Sequence, residues 1–283
     1  MSYHASRRVT FARRIWLLLS AVVVCFAGGA TPVLAAGRSD GVTCRVNDHI
    51  VRVDVAAGAE AVIDRTAAGV ILVNGAVCGD IDPPDVWNTQ RISIYGGDGS
   101  QKVRINLDNG PFAPGYGDEA GTTDEIEFTV LLGQDFDSLR IAGTPAADDI
   151  GFGWVQGVMI VIPAINLNAA DGDHDVKYLS ADYVSAWGYD GNDTITGNDP
   201  GTGTIAFLPL YLFGGGGDDE LTGGADRDRL YAGSGNDTLR GGKAHDRLYA
   251  EDTVEGNDTL YGGDGNDVCI SDPEDFETSC NEV

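Results

Sequence analysis

Seven aspartates, Asp193, Asp219, Asp228, Asp237, Asp246, Asp258 and Asp267, each stand at the sixth place of a nine-residue unit rich in glycine. From position 214 the units read GGGGDDELT, GGADRDRLY, AGSGNDTLR and GGKAHDRLY. Then come AEDTVEGNDTLY, with three extra residues and its places counted from the end, and GGDGNDVCI; an isolated copy, GYDGNDTIT, occupies 188–196. These residues offer oxygen and little else: carboxylates, and backbone carbonyls that glycine allows close to a ligand. Such a donor set suits a hard cation with adaptable geometry. Without a cation between them, stacked carboxylates repel.

The elements that must position these aspartates follow from the rest of the unit. Place eight is aliphatic at Ile195, Leu221, Leu230, Leu239, Leu248 and Leu260, and is Cys269 in the last unit. An inward residue flanked by outward ones describes a strand of about three residues. The six residues before it form a turn whose glycines take positive φ. Two units make one coil of a flattened helix, so like turns stack every second unit and the aliphatics stack into a shared ladder. Plain Asp-Gly hairpin turns would not require the nine-residue register.

These units resemble the RTX, or hemolysin-type, calcium-binding repeat family, whose nonamers are a specific signal. The resemblance covers about a third of the chain and implies a parallel β-roll with Ca2+ held between turns one coil apart. It places Asp219, Asp237 and Asp258 along one edge and Asp228, Asp246 and Asp267 along the other, with room for roughly four interior ions. Folding and ion binding should be coupled. Some units depart from the pattern. Place four is Asp226 in one unit and Ala244 in another, both on the edge of Asp228, which weakens the expectation of ions there; aspartate is expected to tolerate positive φ better than alanine. Residues 252–255 should bulge outward, and 197–213 interrupt the array.

Upstream, alternating segments at 50–55, 61–63, 69–73, 91–95, 103–107, 126–132, 139–141 and 159–167 predict short strands between Gly, Asp and Pro turns. Three turns read as decayed units: 96–99, followed by Gln101 where the acid belongs; 143–151, with Asp148 and Ile150; and the acid-rich 171–176. The expected fold is all-β, a parallel β-roll or β-solenoid with calcium-binding nonapeptide turns, preceded by an irregular β-rich region. That region is read as coils of irregular length continuous with the roll; a separate β-sandwich is the alternative. The expected organisation is a signal peptide at 1–36, the irregular region at 37–187, the calcium-binding roll at 188–270 and a disulfide-bearing C-terminal cap at 271–283.

The leader has Arg7, Arg8, Arg13 and Arg14, then an apolar run at 15–27 and small residues up to Ala36, the order of a secretory signal. The run is short for a membrane anchor, the competing reading. The expectation is a secreted, extracellular protein with no membrane span once the leader is removed. Removal leaves 14 basic against 44 acidic residues, a net charge of −30. That balance argues against nucleic acid as a partner. It also leaves Cys44, Cys78, Cys269 and Cys280, an even number that suggests disulfides, most simply Cys44–Cys78 and Cys269–Cys280. Zinc is disfavoured by the absence of CxxC spacing and neighbouring histidines.

No zinc-helix or nucleophile-elbow motif occurs, and His49, His174 and His245 read as surface residues of acidic loops. Lys102, Lys177 and Arg140 are candidate bases for a calcium-dependent polysaccharide lyase, and Asp148 with Asp149 for glycoside hydrolysis, but none has distinctive spacing. The resulting expectation is a non-enzymatic calcium-binding protein, structural or interacting, with cell-surface or extracellular polysaccharide as a partner class. The alternatives are a carbohydrate-active enzyme and a surface adhesin.

Overall fold

The computed structural model describes residues 40–281 apart from 80–82, 117–124, 158–159, 169–172 and 255. The signal-peptide expectation at 1–36 therefore lies outside the described residues, as do the first two residues of the 171–176 turn. No helix forms among the described residues, so none is long and apolar enough to cross a membrane. The described residues form an all-β solenoid of two long sheets, one of twelve strands and one of eleven, paired mostly in parallel.

The first sheet runs Ile50–Val55, Arg91–Tyr95, Glu127–Leu131 and Val176–Leu179, each parallel to the one before. It ends as Asp149–Gln156, Thr194–Thr196, Glu220–Thr222, Thr238–Lys243, Thr259–Asp264 and Phe276–Thr278, again parallel. Joining these halves is the antiparallel strand Val161–Asn166. The second sheet runs in parallel through Glu60–Arg65, Lys102–Asn106, Ser138–Ala142, Tyr183–Asp190 and Leu210–Gly216. It continues through Arg229–Ser234, Arg247–Tyr249, Asp267–Ile270 and Cys280–Asn281.

The inward residues explain why the roll differs along its length. Val51, Val53 and Val55 are buried from one front strand, whereas Glu220–Thr222 buries Leu221 alone. Every aliphatic at place eight is fully buried, and Cys269 is 7% exposed. In register they form the columns Ile150–Ile195–Leu221–Leu239–Leu260 and Leu212–Leu230–Leu248–Cys269. A coil that contributes one aliphatic per strand has little apolar surface to hold it, and its turns must supply the rest.

The front of the roll is covered. The antiparallel strand Val42–Asn47 covers the front edge of the first sheet, and Ile71–Val73 with Ala76–Val77 extends the second. The Cys44–Cys78 disulfide ties these two covers together. Cys269–Cys280 ties the last strands. Such covers protect strands that would otherwise pair with other chains.

The interruption at 197–213 is a short hairpin, Asn198–Asp199 with Thr204–Ile205, followed by re-entry into the second sheet at Leu210. Residues 252–254 bulge to the surface, with Val254 52% exposed.

Candidate metal centre

The repeat aspartates are all buried, none more than 2% exposed. They lie at the two edges where the chain turns into a sheet. On the edge entering the first sheet, the backbone N–H of each aspartate donates to Oδ1 of the aspartate one coil on. The chain of bonds runs Asp148 to Asp193 (2.8 Å), Asp193 to Asp219 (2.8 Å), Asp219 to Asp237 (2.7 Å) and Asp237 to Asp258 (2.7 Å). It ends with Asp258 donating to Asp275 at 3.1 Å. On the other edge Leu210 donates to Asp228 (2.7 Å), Asp228 to Asp246 (2.8 Å) and Asp246 to Asp267 (2.9 Å).

One carboxylate oxygen is thus used by the backbone. The other, Oδ2, is buried without a hydrogen-bond partner in Asp193, Asp219, Asp237, Asp246, Asp258 and Asp267. A buried oxygen of this kind is costly unless something positive faces it. The turn around it is built from oxygen as well. A β-carbon on Gly214 would run into Asp219 Oδ2 and into the carbonyl of Ala232 in the next coil, 2.6 Å away. Gly215 and Gly217 have φ of +128° and +124°, and a β-carbon on either would collide with a carbonyl of the preceding coil, Tyr189 or Gly191. Carboxylate and carbonyl oxygens so converge at each turn, a donor set that fits Ca2+ and has no soft ligand.

The departures sort the turns into two kinds. Ala244 keeps the left-handed conformation at φ +81°, so its unit retains the turn. Asp226 does not take positive φ, contrary to the expectation from side-chain type. The reason is its neighbour: the coil before it is the 197–205 hairpin, and Ala225 N–H bonds to the Ala206 carbonyl at 2.8 Å. In this reshaped turn Gly224 N–H donates to Asp228 Oδ2 at 2.6 Å, so Asp228, unlike the other six, has both oxygens engaged by the backbone. The decayed turn at Asp148 closes in the same way through Thr144 N–H, also at 2.6 Å. At Gln101 the carboxamide carries its own donor: Nε2 bonds to the carbonyls of Asp98 and Gly99.

Burial raises the carboxyls of Asp193, Asp219, Asp237 and Asp258 to about 6; their Oδ1 bonds oppose this and neighbouring carboxylates add to it. Asp246 rises to about 7 and Asp228 to about 8, again chiefly by burial. With no cation facing them, these groups resist ionisation.

Sequence reasoning missed three members of the ladders. Gln101 N–H donates to Asp137 Oδ1 at 2.6 Å, and Asp137 N–H to Asp182 at 3.0 Å, continuing the second edge forward. The signal for Asp137 was present: LGQDFDSLR at 132–140 keeps an acid at six and Leu139 at eight, but only one glycine. Asp275 was masked by Glu277 at its place eight.

The histidines divide. His245 is exposed and accepts Asn266 N–H at 2.8 Å, while His49 stacks on Tyr116. His174 is not a surface residue: it is 4% exposed, with Nε2 3.2 Å from Asp199 Oδ2. Thr202 Oγ1 donates to the same Asp199 oxygen at 2.7 Å. Burial pushes the Asp199 carboxyl up, but His174, Thr202 and Gly201 N–H together hold it below its ordinary value. The group closes on itself and pins the 197–205 hairpin to the roll.

The candidate bases do not converge. Lys102 and Arg140 lie on the second sheet, and Lys177 on the first, ion-paired to Glu127. Asp148 is engaged in its turn while Asp149 is exposed. All four cysteines described are in disulfides, which leaves zinc no thiolate among them.

The family model of the RTX calcium-binding nonapeptide repeat matches the chain in four copies, over residues 181–199, 211–252 and 254–273. No curated protein and no solved structure matches it. The matched segments contain all seven repeat aspartates. The C-terminal coils of this chain are RTX calcium-binding nonapeptide repeats.

Proposed function

We propose that the protein is exported and acts outside the cell as a non-enzymatic scaffold whose C-terminal coils fold around Ca2+. The observation that carries this reading is the row of buried, unpartnered Oδ2 atoms at the repeat turns. The aspartates assigned as ligands are the pairs Asp193–Asp219, Asp219–Asp237, Asp237–Asp258 and Asp246–Asp267, which gives about four sites, together with turn carbonyls. Asp228 is left out because Gly224 N–H already occupies its second oxygen. A bound divalent cation supplies the positive charge that lets neighbouring carboxylates ionise together, and the residues hold it by oxygen alone. Two disulfides are compatible with an oxidising compartment.

The test is circular dichroism of the mature chain titrated with calcium after EDTA treatment. Strand signal should grow and saturate at a fixed number of ions per chain. A spectrum that is the same in EDTA and in saturating calcium, with no ion bound, ends this reading.

A further inference from the structure

The outer face of the second sheet carries two columns of side chains whose composition runs against the rest of the molecule. In one column Arg104, Arg140, Ser185, Tyr211, Arg229 and Arg247 stand in register on six successive strands. Beside it run Asn106, Ala142, Trp187, Phe213, Tyr231 and Tyr249. Neither column contains a carboxylate, although the chain has 44 acidic and 18 basic residues.

Like charges directly opposite one another in a sheet are destabilising. This face has two such pairs, Arg104 with Arg140 and Arg229 with Arg247. In a chain so rich in acids, neutralising them would take one substitution each. Arg104 reaches Glu60 at 3.2 Å, but among the described residues Arg140, Arg229 and Arg247 have no carboxylate within ion-pair distance. Arg140 instead lies over the Trp187 ring at 4.6 Å and Arg229 over Tyr211 at 5.3 Å, contacts that fix the guanidinium while leaving its donors to bind.

The aromatic column narrows the choice of partner. Phe213, Tyr231 and Tyr249 stack face to face at 4.7 and 4.6 Å with planes within 4°. Their faces cover one another, so the stripe offers ring edges and hydroxyls in place of the open faces on which neutral sugars stack. Recognition here must rest on charge and hydrogen bonds. The cations come as two adjacent pairs, each at the strand spacing of about 4.8 Å, with Ser185 and Tyr211 between them, and the column spans roughly 24 Å. A linear polymer with one carboxylate per sugar ring matches the spacing within each pair. Duplex nucleic acid, with its much denser charge, would meet the strong negative field of the whole chain.

We propose that the Arg–Tyr face of the second sheet, at Arg104, Arg140, Tyr211, Arg229 and Arg247, binds a linear carboxylated polysaccharide. The proposal rests on the scaffold reading above and gives that scaffold its partner class. The test uses the calcium-saturated mature chain, its folding checked by circular dichroism in the same sample, titrated calorimetrically with short polygalacturonate oligomers. Binding should saturate, weaken as salt is raised, and fall about tenfold or more in the double variant Arg229→Ser/Arg247→Ser. The pair Arg104→Ser/Arg140→Ser serves if that variant misfolds. Arg240→Ser, on the opposite sheet, should bind as the parent does. No binding by the folded parent, unchanged affinity in both double variants, or equal affinity for neutral dextran or duplex DNA overturns the proposal. Loss of the calcium response is read on the dichroism channel and bears on the scaffold reading alone.

Discussion

The backbone N–H of Asp219 donates to Oδ1 of Asp237, 18 residues further on, at 2.7 Å, while Oδ2 of Asp237 is buried with no partner. One carboxylate therefore has two roles. One oxygen sets the stacking of coils, and the other is the one proposed above to face a cation.

The two roles separate by substitution. Asp237→Asn keeps an acceptor for Asp219 N–H but loses the charge, and Asp237→Ala loses both. Because Asp237 lies between Asp219 and Asp258, each variant should bind about two fewer calcium ions than the parent, counted by calorimetry. In calcium the asparagine variant should be the more stable of the two by about 1 kcal/mol, the worth of one hydrogen bond. Parent stoichiometry in both would show that Asp237 is not a ligand.

What the sequence made legible follows coil length. Coils of 18 and 21 residues, as from Asp219 to Asp237 and from Asp237 to Asp258, are whole or nearly whole pairs of nonamers, so their aspartates and leucines stand out by counting. The front ladder steps by 36 residues from Gln101 to Asp137 and by 45 from Asp137 to Asp182, and its turns depart from the nonamer in different ways: 96–99 keeps its glycines but has Gln101 in place of the acid, whereas 132–140 keeps the acid and only one glycine. No local period marks it. The burial of His174 depends on a hairpin from another part of the chain, and the arginine column on register across coils of unequal length. Residue types at fixed spacing predict the turn; they do not reveal which neighbour a turn will meet, and that neighbour is what reshaped the Asp228 turn.

Proton and calcium should act in opposite directions on the roll. Without metal, Asp193, Asp219, Asp237 and Asp258 hold protons up to about pH 6 in the folded state, against about 4 when unfolded. The folded state then binds more protons than the unfolded one, so stability is lost as pH rises through about 6 and regained as it falls. In EDTA the thermal transition of the roll should move up between pH 8 and pH 5. In calcium it should move down over the same range, because ionised carboxylates are what the ion needs. Melts in both buffers at the two pH values check this; curves that shift the same way would contradict it.

The aliphatic ladder should dominate the outward residues in energetic weight. Leu239 is fully buried between Leu221 and Leu260, and Thr238 beside it faces outward. Leu239→Ala should cost about 2–5 kcal/mol and Thr238→Ala within about 0.5 kcal/mol, measured by urea unfolding in saturating calcium. Equal costs would mean that the core is held by the turns alone.

The last coil tests whether the roll behaves as a row of neighbours. Cys269 takes the place of an aliphatic in the column that contains Leu248, and its disulfide to Cys280 closes a separation of 11 residues. Loop-closure entropy gives such a bridge roughly 3 kcal/mol. In a solenoid each coil touches only the next, so this stability is spent locally. Cys269→Ser/Cys280→Ser should therefore lose amide protection in Asp267–Ile270 and Cys280–Asn281, the strands that the bridge joins, when hydrogen exchange is followed by mass spectrometry in calcium. Protection in Thr238–Lys243, further along the roll, should be unchanged. Equal loss in both places would show that the coils unfold as one cooperative body, and that the cap contributes to the whole array.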